Sequence, residues 1–196
     1  MALKLRLLGL TAVLVLAATA GGTSASAGLS CPGQTYGKPF QPWLDPANYV
    51  LVQNGSLESS RGWLLTNGAK LVSGNEPWKV NASTDSRSLY LPAGSSATSP
   101  ALCVSLLHPT LRFFATNTGS LAATLRVEAI TDVLGVRATT PVGLLTAGSW
   151  QPTVPLAFLT NLTAPVTGTV SFRFTPVGLG TGFRIDDVYV DPYKMR

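Results

Sequence analysis

The chain has 196 residues, 45% hydrophobic and only 12% charged, with 14 Lys and Arg against 9 Asp and Glu. Lys4 and Arg6 fall in an N-terminal leader, which leaves twelve basic residues, set singly, against nine acidic ones, a formal +3. That charge is too mild and too scattered for a nucleic-acid partner, and the length accommodates one domain with a sizeable core.

In chain order, Lys4 and Arg6 precede the apolar run Leu7 to Ala20, and Ala25-Ser26-Ala27 follows with small residues. This three-part pattern predicts a secretory signal peptide over residues 1–27, cut before Gly28. A membrane span needs about 20 apolar residues. The leader falls short of that, and Pro, Gly or charge interrupts every later segment first. The expectation is a secreted, extracellular protein with no membrane span in its mature chain.

Residues 28–48 are rich in Pro and Gly and read as an irregular arm, pinned by Tyr36, Phe40 and Trp43. Cys31 and Cys103 are the two cysteines, and export into an oxidising compartment predicts that they form one disulfide. Closing a loop of about 70 residues is worth roughly 4 kcal/mol in the chain-entropy model. The competing reading is a lipid on Cys31. That needs Leu three positions before the cysteine, whereas Leu29 stands one place late.

From Tyr49 to the C-terminus the pattern is short apolar runs separated by turn residues. Strands are predicted at Tyr49–Gln53, Trp63–Thr66, Ala69–Val72, Trp78–Val80, Ser88–Leu91, Ser96–Val104, Leu111–Ala115, Thr124–Ile130, Val136–Leu144, Thr153–Phe158, Val166–Phe174 and Gly182–Val190. Val166 to Phe174 alternates most strictly, apolar at Val170, Phe172 and Phe174 and polar at Thr169, Ser171 and Arg173. Asn67-Gly68, Pro92-Ala93-Gly94 and Asn117-Thr118-Gly119 supply turns. No helical period stands out. The reading is all-β: a two-sheet antiparallel β-sandwich, or jelly roll, over residues 49–196.

No catalytic residue is assigned. His108, the one histidine, precedes Pro109 at a strand-entry turn, and no Gly-x-Ser-x-Gly elbow presents a nucleophile. One histidine and a paired set of cysteines also argue against zinc. Nine acids can always offer some pair, so their presence alone does not signal glycoside hydrolysis. Gly178 to Gly182 lacks the lysine and helix of a phosphate loop. The sequons at Asn54, Asn81 and Asn161 carry little weight.

One constellation is more specific: Asn54-Gly55-Ser56-Leu57-Glu58, then Gly62-Trp63, then Ser88-Leu89-Tyr90-Leu91, and finally Phe183-Arg184-Ile185-Asp186-Asp187-Val188-Tyr189-Val190. It resembles the jelly-roll carbohydrate-binding modules of xylanases and endoglucanases, within the galactose-binding-like group, with Leu57 where those domains carry Phe. The whole mature chain is also similar to a group of uncharacterised secreted bacterial proteins. These share the Pro42 to Val52 opening, the Gly74-Asn75-Glu76-Pro77 turn and the Arg184 to Tyr193 ending, and they imply no activity.

The first resemblance implies a structural calcium where the opening turn meets the last strand. Its ligands would be Glu58, Asp186 or Asp187, and the Ser56 carbonyl. The alternative is that these acids are solvated or paired with Arg61 or Arg184. The resemblance also implies a glycan or cell-surface polymer as partner, held by exposed aromatic faces. Candidates are Trp78, Trp43 and Tyr90, with Tyr36 and Trp150 behind them, and Trp63 assigned to the core. The functional expectation is a secreted non-catalytic binding module for extracellular or cell-wall carbohydrate. The alternatives are a structural or protein-interaction jelly roll without sugar binding and, third, a hydrolase.

Overall fold

The computed structural model describes residues 33–104, 110–120, 122–133, 136–158, 168–178 and 180–191. The predicted leader, Cys31, His108 and Asn161 lie outside the described residues.

Strands follow in chain order as β1 (Tyr36–Gly37), β2 (Tyr49–Leu51), β3 (Leu64–Thr66), β4 (Lys70–Ser73), β5 (Arg87–Pro92), β6 (Ser96–Thr98), β7 (Leu102–Val104), β8 (Thr110–Asn117), β9 (Thr124–Val133), β10 (Val136–Leu145), β11 (Gln151–Pro152), β12 (Leu156–Ala157), β13 (Gly168–Val177) and β14 (Gly182–Asp191). A single 3-10 turn, Gln41–Trp43, interrupts them among the described residues.

The strands form two antiparallel sheets. In the first, β14 pairs with β8 along one side and with β5 and then β2 along the other. β4 extends the β5 edge, β1 extends β2, and β11 and β12 extend β8. In the second, β13 lies between β9 and the pair β6 and β7, with β10 and β3 at the edges. The architecture is an all-β sandwich of the jelly-roll kind.

The main core lies between the sheets. Phe113, Phe172, Phe174, Phe183, Leu89, Leu91 and Leu125 are fully buried there. Each large apolar side chain contributes about 1.5–3 kcal/mol on burial. The predicted alternation in the last third of the chain is present in β13, where Val170, Phe172 and Phe174 face the core. Trp63 is buried too, stacked on Phe174 with its indole N–H donated to the Asn54 carbonyl at 3.1 Å.

Three predicted strands are corrected. Trp78–Val80 is a turn, because the Glu76 carboxylate accepts the N–H groups of Trp78 and Val80 that a ladder would use. Ser96–Val104 breaks at Ser99-Pro100, since proline has no N–H to donate; β6 and β7 pair with separate stretches of β13 on either side. Thr153–Phe158 keeps only β12, and Pro155 precedes it.

The outward face of the first sheet is not bare. The arm folds across it: β1 pairs with β2, and Phe40 is fully buried in a second cluster with Tyr49, Phe114 and Tyr189. Phe40 stacks on Phe114 at 5.6 Å and meets Tyr49 edge-on at 4.9 Å. The Arg112 guanidinium lies 4.1 Å over the Phe40 ring and pairs with Asp45, which also accepts the Tyr49 hydroxyl at 2.7 Å. β8 is therefore buried on both faces, Phe113 inward and Phe114 beneath the arm.

Candidate functional site: an acid nest beneath a tryptophan groove

β14 changes partners midway. It pairs with β5 through Ile185 and with β2 from Tyr189. Against β8 its register shifts between Asp186 and Tyr189, a β-bulge. Asp187 takes the extra position with a left-handed φ of 48°, and both aspartates are fully buried. Non-glycine residues in this region are uncommon, with Asp and Asn among the best tolerated.

The opening turn closes one side of the bulge. Val52 N–H donates to Val188 O at 2.9 Å and Val188 N–H donates to Gly55 O at 3.0 Å. A Cβ at Gly55 would sit 2.7 Å from the Val188 carbonyl, so only glycine allows this approach. Glu58, at the end of the turn, accepts the N–H groups of Ser86 and Arg87 at 2.7 Å each.

The β4–β5 loop closes the other side. Glu76 N–H donates to Asp186 Oδ2 and Asn81 N–H to Asp187 Oδ2, each at 3.1 Å. The buried Glu76 carboxylate turns back into the loop, accepting Trp78 N–H at 2.6 Å and Val80 N–H at 2.5 Å. Asn81 Nδ2 donates to Asp85 Oδ2 at 2.9 Å. Five acids thus meet at one seam: Glu58, Glu76, Asp85, Asp186 and Asp187.

Burial dominates the electrostatics of the two aspartates on β14. It pushes the Asp186 carboxyl up to about 9, with the Asp187 charge adding to it. It pushes Asp187 up to about 7, opposed by the Asn81 N–H and reinforced by Glu76, Asp85 and Glu58. Among the described residues none of the five acids forms an ion pair. Arg184 donates instead to Ser73 O, Gly74 O and the Ser88 hydroxyl. Asp187 Oδ1 and Asn75 Oδ1 are buried without a hydrogen-bond partner, and such orphan acceptors cost about 1–3 kcal/mol each. All the available donor atoms are oxygens, the set a hard cation takes. Among the described residues no three His, Cys, Asp or Glu side chains are placed to hold a metal by themselves.

The structure brings the predicted Glu58, Asp186 and Asp187 to this seam, with Ser56 in the adjoining turn. The alternative that Arg184 pairs with these acids is not what it shows. Sequence reasoning missed Asn75, Glu76 and Asp85. The Gly74-Asn75-Glu76-Pro77 turn was visible, but nothing local says that its acid folds under β14.

Above the nest lies a solvent-open groove of about 640 Å3, lined by Lys38, Gln41, Trp43, Trp78, Lys79 and neighbouring prolines. Trp43 comes from the arm and Trp78 from the β4–β5 loop. Their rings meet edge-on at 5.2 Å, and each packs on Phe114, at 5.3 and 5.6 Å. Such contacts are worth about 0.5–1.5 kcal/mol beyond burial. Trp78 remains 47% exposed. Tyr90, the third predicted aromatic, stands opposite Arg184 and Lys70 in the sheet ladder and does not line the groove. Trp150 packs against the second cluster, with the Arg184 guanidinium 5.7 Å from its ring.

The outward face of the second sheet is polar along β9 and β13. Glu128 accepts Arg173 Nε at 2.9 Å and lies 3.5 Å from Arg126 Nε, with Ser171 and Thr175 alongside.

The sequence matches no protein-family model and no curated protein. Solved structures do match. One holds the family 22 carbohydrate-binding and family 10 hydrolase modules of a Clostridium thermocellum endo-1,4-β-D-xylanase, complexed with xylohexaose. It is 13% identical over 72% of this chain, with a TM-score of 0.51. The enzymatically active domain of a bacteriophage CBA120 tailspike is 20% identical over 71%, with a TM-score of 0.49. These matches span only 28% and 21% of those longer chains. A family 61 carbohydrate-binding module in complex with β-1,4-galactotriose is 14% identical over 71% of this chain and 96% of its own, with a TM-score of 0.42. The structural neighbours are thus chiefly carbohydrate-binding modules, and the domain shares their jelly-roll fold.

Proposed function

We propose that this protein is a secreted, non-catalytic binding module that takes extracellular or cell-wall carbohydrate in the Trp43–Trp78 groove. The observation that carries this reading is the pair of edge-on indoles at an open groove, one of them half exposed although its neighbours are packed. Aromatic faces with a few polar groups beside them are what a sugar ring requires. The fold alone does not choose a function, so the reading rests on the groove. Among the described residues no carboxylate lines the groove, and the Asp186 and Glu76 carboxylates accept N–H groups of the β4–β5 loop.

The acid nest is the proposed structural calcium site. Glu58 and either Asp186 or Asp187 would hold the ion with the Ser56 carbonyl and, from the β4–β5 loop, Asn75. Calcium takes six to eight oxygens, so backbone and amide oxygens would have to complete the carboxylate set. A bound cation would neutralise charge that burial otherwise disfavours. The protein's own residues do the rest: Asp186 and Asp187 hold the loop, and Glu76 shapes the turn that presents Trp78.

The test is a screen of the purified protein against cell-wall polysaccharides and oligosaccharides, with and without a chelator, alongside Trp78→Ala. Glycan binding that Trp78→Ala abolishes while the variant still unfolds cooperatively supports the proposal. A folded protein that binds no saccharide would instead fit the alternative, a jelly roll serving structural or protein contacts.

A further inference from the structure

Resting on that reading, we infer that the Trp43–Trp78 groove selects a saccharide bearing an anionic group. Two lysines line the groove, Lys38 from the arm and Lys79 from the loop, and both are exposed. Among the described residues no acidic side chain lines it. Glu76, directly behind Trp78, is fully buried and spends both oxygens on backbone N–H groups. The open side of the groove therefore presents positive charge beside the two indoles.

Lys79 is held in place by the fold. Its φ is 50°, in the left-handed region that lysine rarely adopts. A non-glycine residue there costs roughly 1–2 kcal/mol, and the cost is met by the Glu76 and Asp187 bonds on either side of it. Lys79 Nζ donates to Ser83 O at 2.9 Å. An ammonium has three donors, so two remain for a ligand. Lys38 has no ion-pair partner among the described residues. A carboxylate or phosphate on a sugar ring seated on the indoles would pair with these ammonium groups charge to charge, whereas a neutral sugar would offer them only hydroxyl acceptors.

The probes are hexagalacturonate, its methyl ester, xylohexaose and phosphomannan, each titrated onto the purified protein by calorimetry. Hexagalacturonate should bind about tenfold more tightly than its methyl ester, the gain expected of one charge-assisted contact. That margin should collapse between about 0.01 M and about 1 M salt, as the screening length falls from about 30 to about 3 Å. The phosphomannan arm tells whether phosphate serves in place of carboxylate. Lys38→Gln with Lys79→Gln should erase the preference, bringing the acid and its ester to equal affinity. Equal affinity for the acid and its ester overturns the inference while leaving the carbohydrate reading in place. No binding of any probe by a folded protein overturns the reading itself, and this inference falls with it.

Discussion

Glu76 and Trp78 are joined by a hydrogen bond of 2.6 Å, from the Trp78 N–H to a carboxylate that is wholly buried. The same residue donates its own N–H to Asp186. One acid thereby links the bulge of β14 to the exposed indole of the groove.

Replacing Glu76 with alanine leaves the N–H groups of Trp78 and Val80 without their charged acceptor. The expected loss is about 2–4 kcal/mol of stability, with Trp78 released from Trp43 and Phe114. Tryptophan emission should shift to longer wavelength before global unfolding, and Glu76→Gln should fall between. Emission unchanged in the alanine variant would show that the loop is held by other contacts.

Calcium should raise the melting temperature of the purified protein and a chelator should lower it. A ligand at 100 times its dissociation constant stabilises by about 2.7 kcal/mol. Asp187→Asn should abolish the response, because Asp187 carries the partnerless buried oxygen. A melting temperature indifferent to both reagents would remove the calcium site.

Gly55→Ala should destabilise by about 1–3 kcal/mol, the range for overpacking. Its new methyl group would press on the Val188 carbonyl and part the opening turn from β14. Because Glu58 belongs to that turn, any calcium response should weaken with it. Wild-type stability in this variant would mean that the seam is looser than its hydrogen bonds imply.

The arm has its own pH dependence. Burial raises the Asp45 carboxyl, but Tyr49, Ala47 and Arg112 together outweigh it and hold the group below its ordinary value. A carboxyl depressed on folding adds stability above its unfolded value, and that stability is lost as pH falls through the folded one. The arm should therefore loosen below about pH 4, visible as exposure of Trp43. Asp45→Ala should cost about 3 kcal/mol at neutral pH by stranding Arg112 and should flatten the acid limb of the stability curve. An unchanged acid limb would assign it to other carboxyls.

The Cys31–Cys103 disulfide is a proposal, and Cys31 lies outside the described residues. Gln34, three residues after Cys31, donates to the Cys103 carbonyl at 3.0 Å. The purified protein, never reduced, should show no reactive thiol, and Cys103→Ser should lose about 4 kcal/mol. Two titratable thiols in that sample would refute the link.

Much of the sandwich was legible in the sequence because a strand with one wet face writes its orientation into every second residue. β13 shows this, with Phe172 and Phe174 inward and Ser171 and Arg173 outward. β8 was legible as a strand with Leu111, Phe113 and Ala115 inward, but the burial of its other face was not, since Phe114 and Arg112 lie beneath an arm more than 60 residues earlier in the chain. The split at Ser99-Pro100 and the turn at Trp78 were missed for a local reason: a proline and a carboxylate each diverted the backbone from a ladder that the apolar pattern favoured.

The residues alone determined the alternating strands, and the resemblance carried by the Asn-Gly and Asp-Asp motifs implied which two ends of the chain would meet. Tertiary structure decided that Glu76 and Asp85 join Glu58, Asp186 and Asp187, and that an arm tryptophan and a loop tryptophan share one groove. Periodicity reports only whether a side chain faces in or out. Which distant segments fill the gap where β14 exchanges β5 for β2 depends on a bulge and on hydrogen bonds between residues about 110 positions apart, as between Glu76 and Asp186, and no local pattern encodes that.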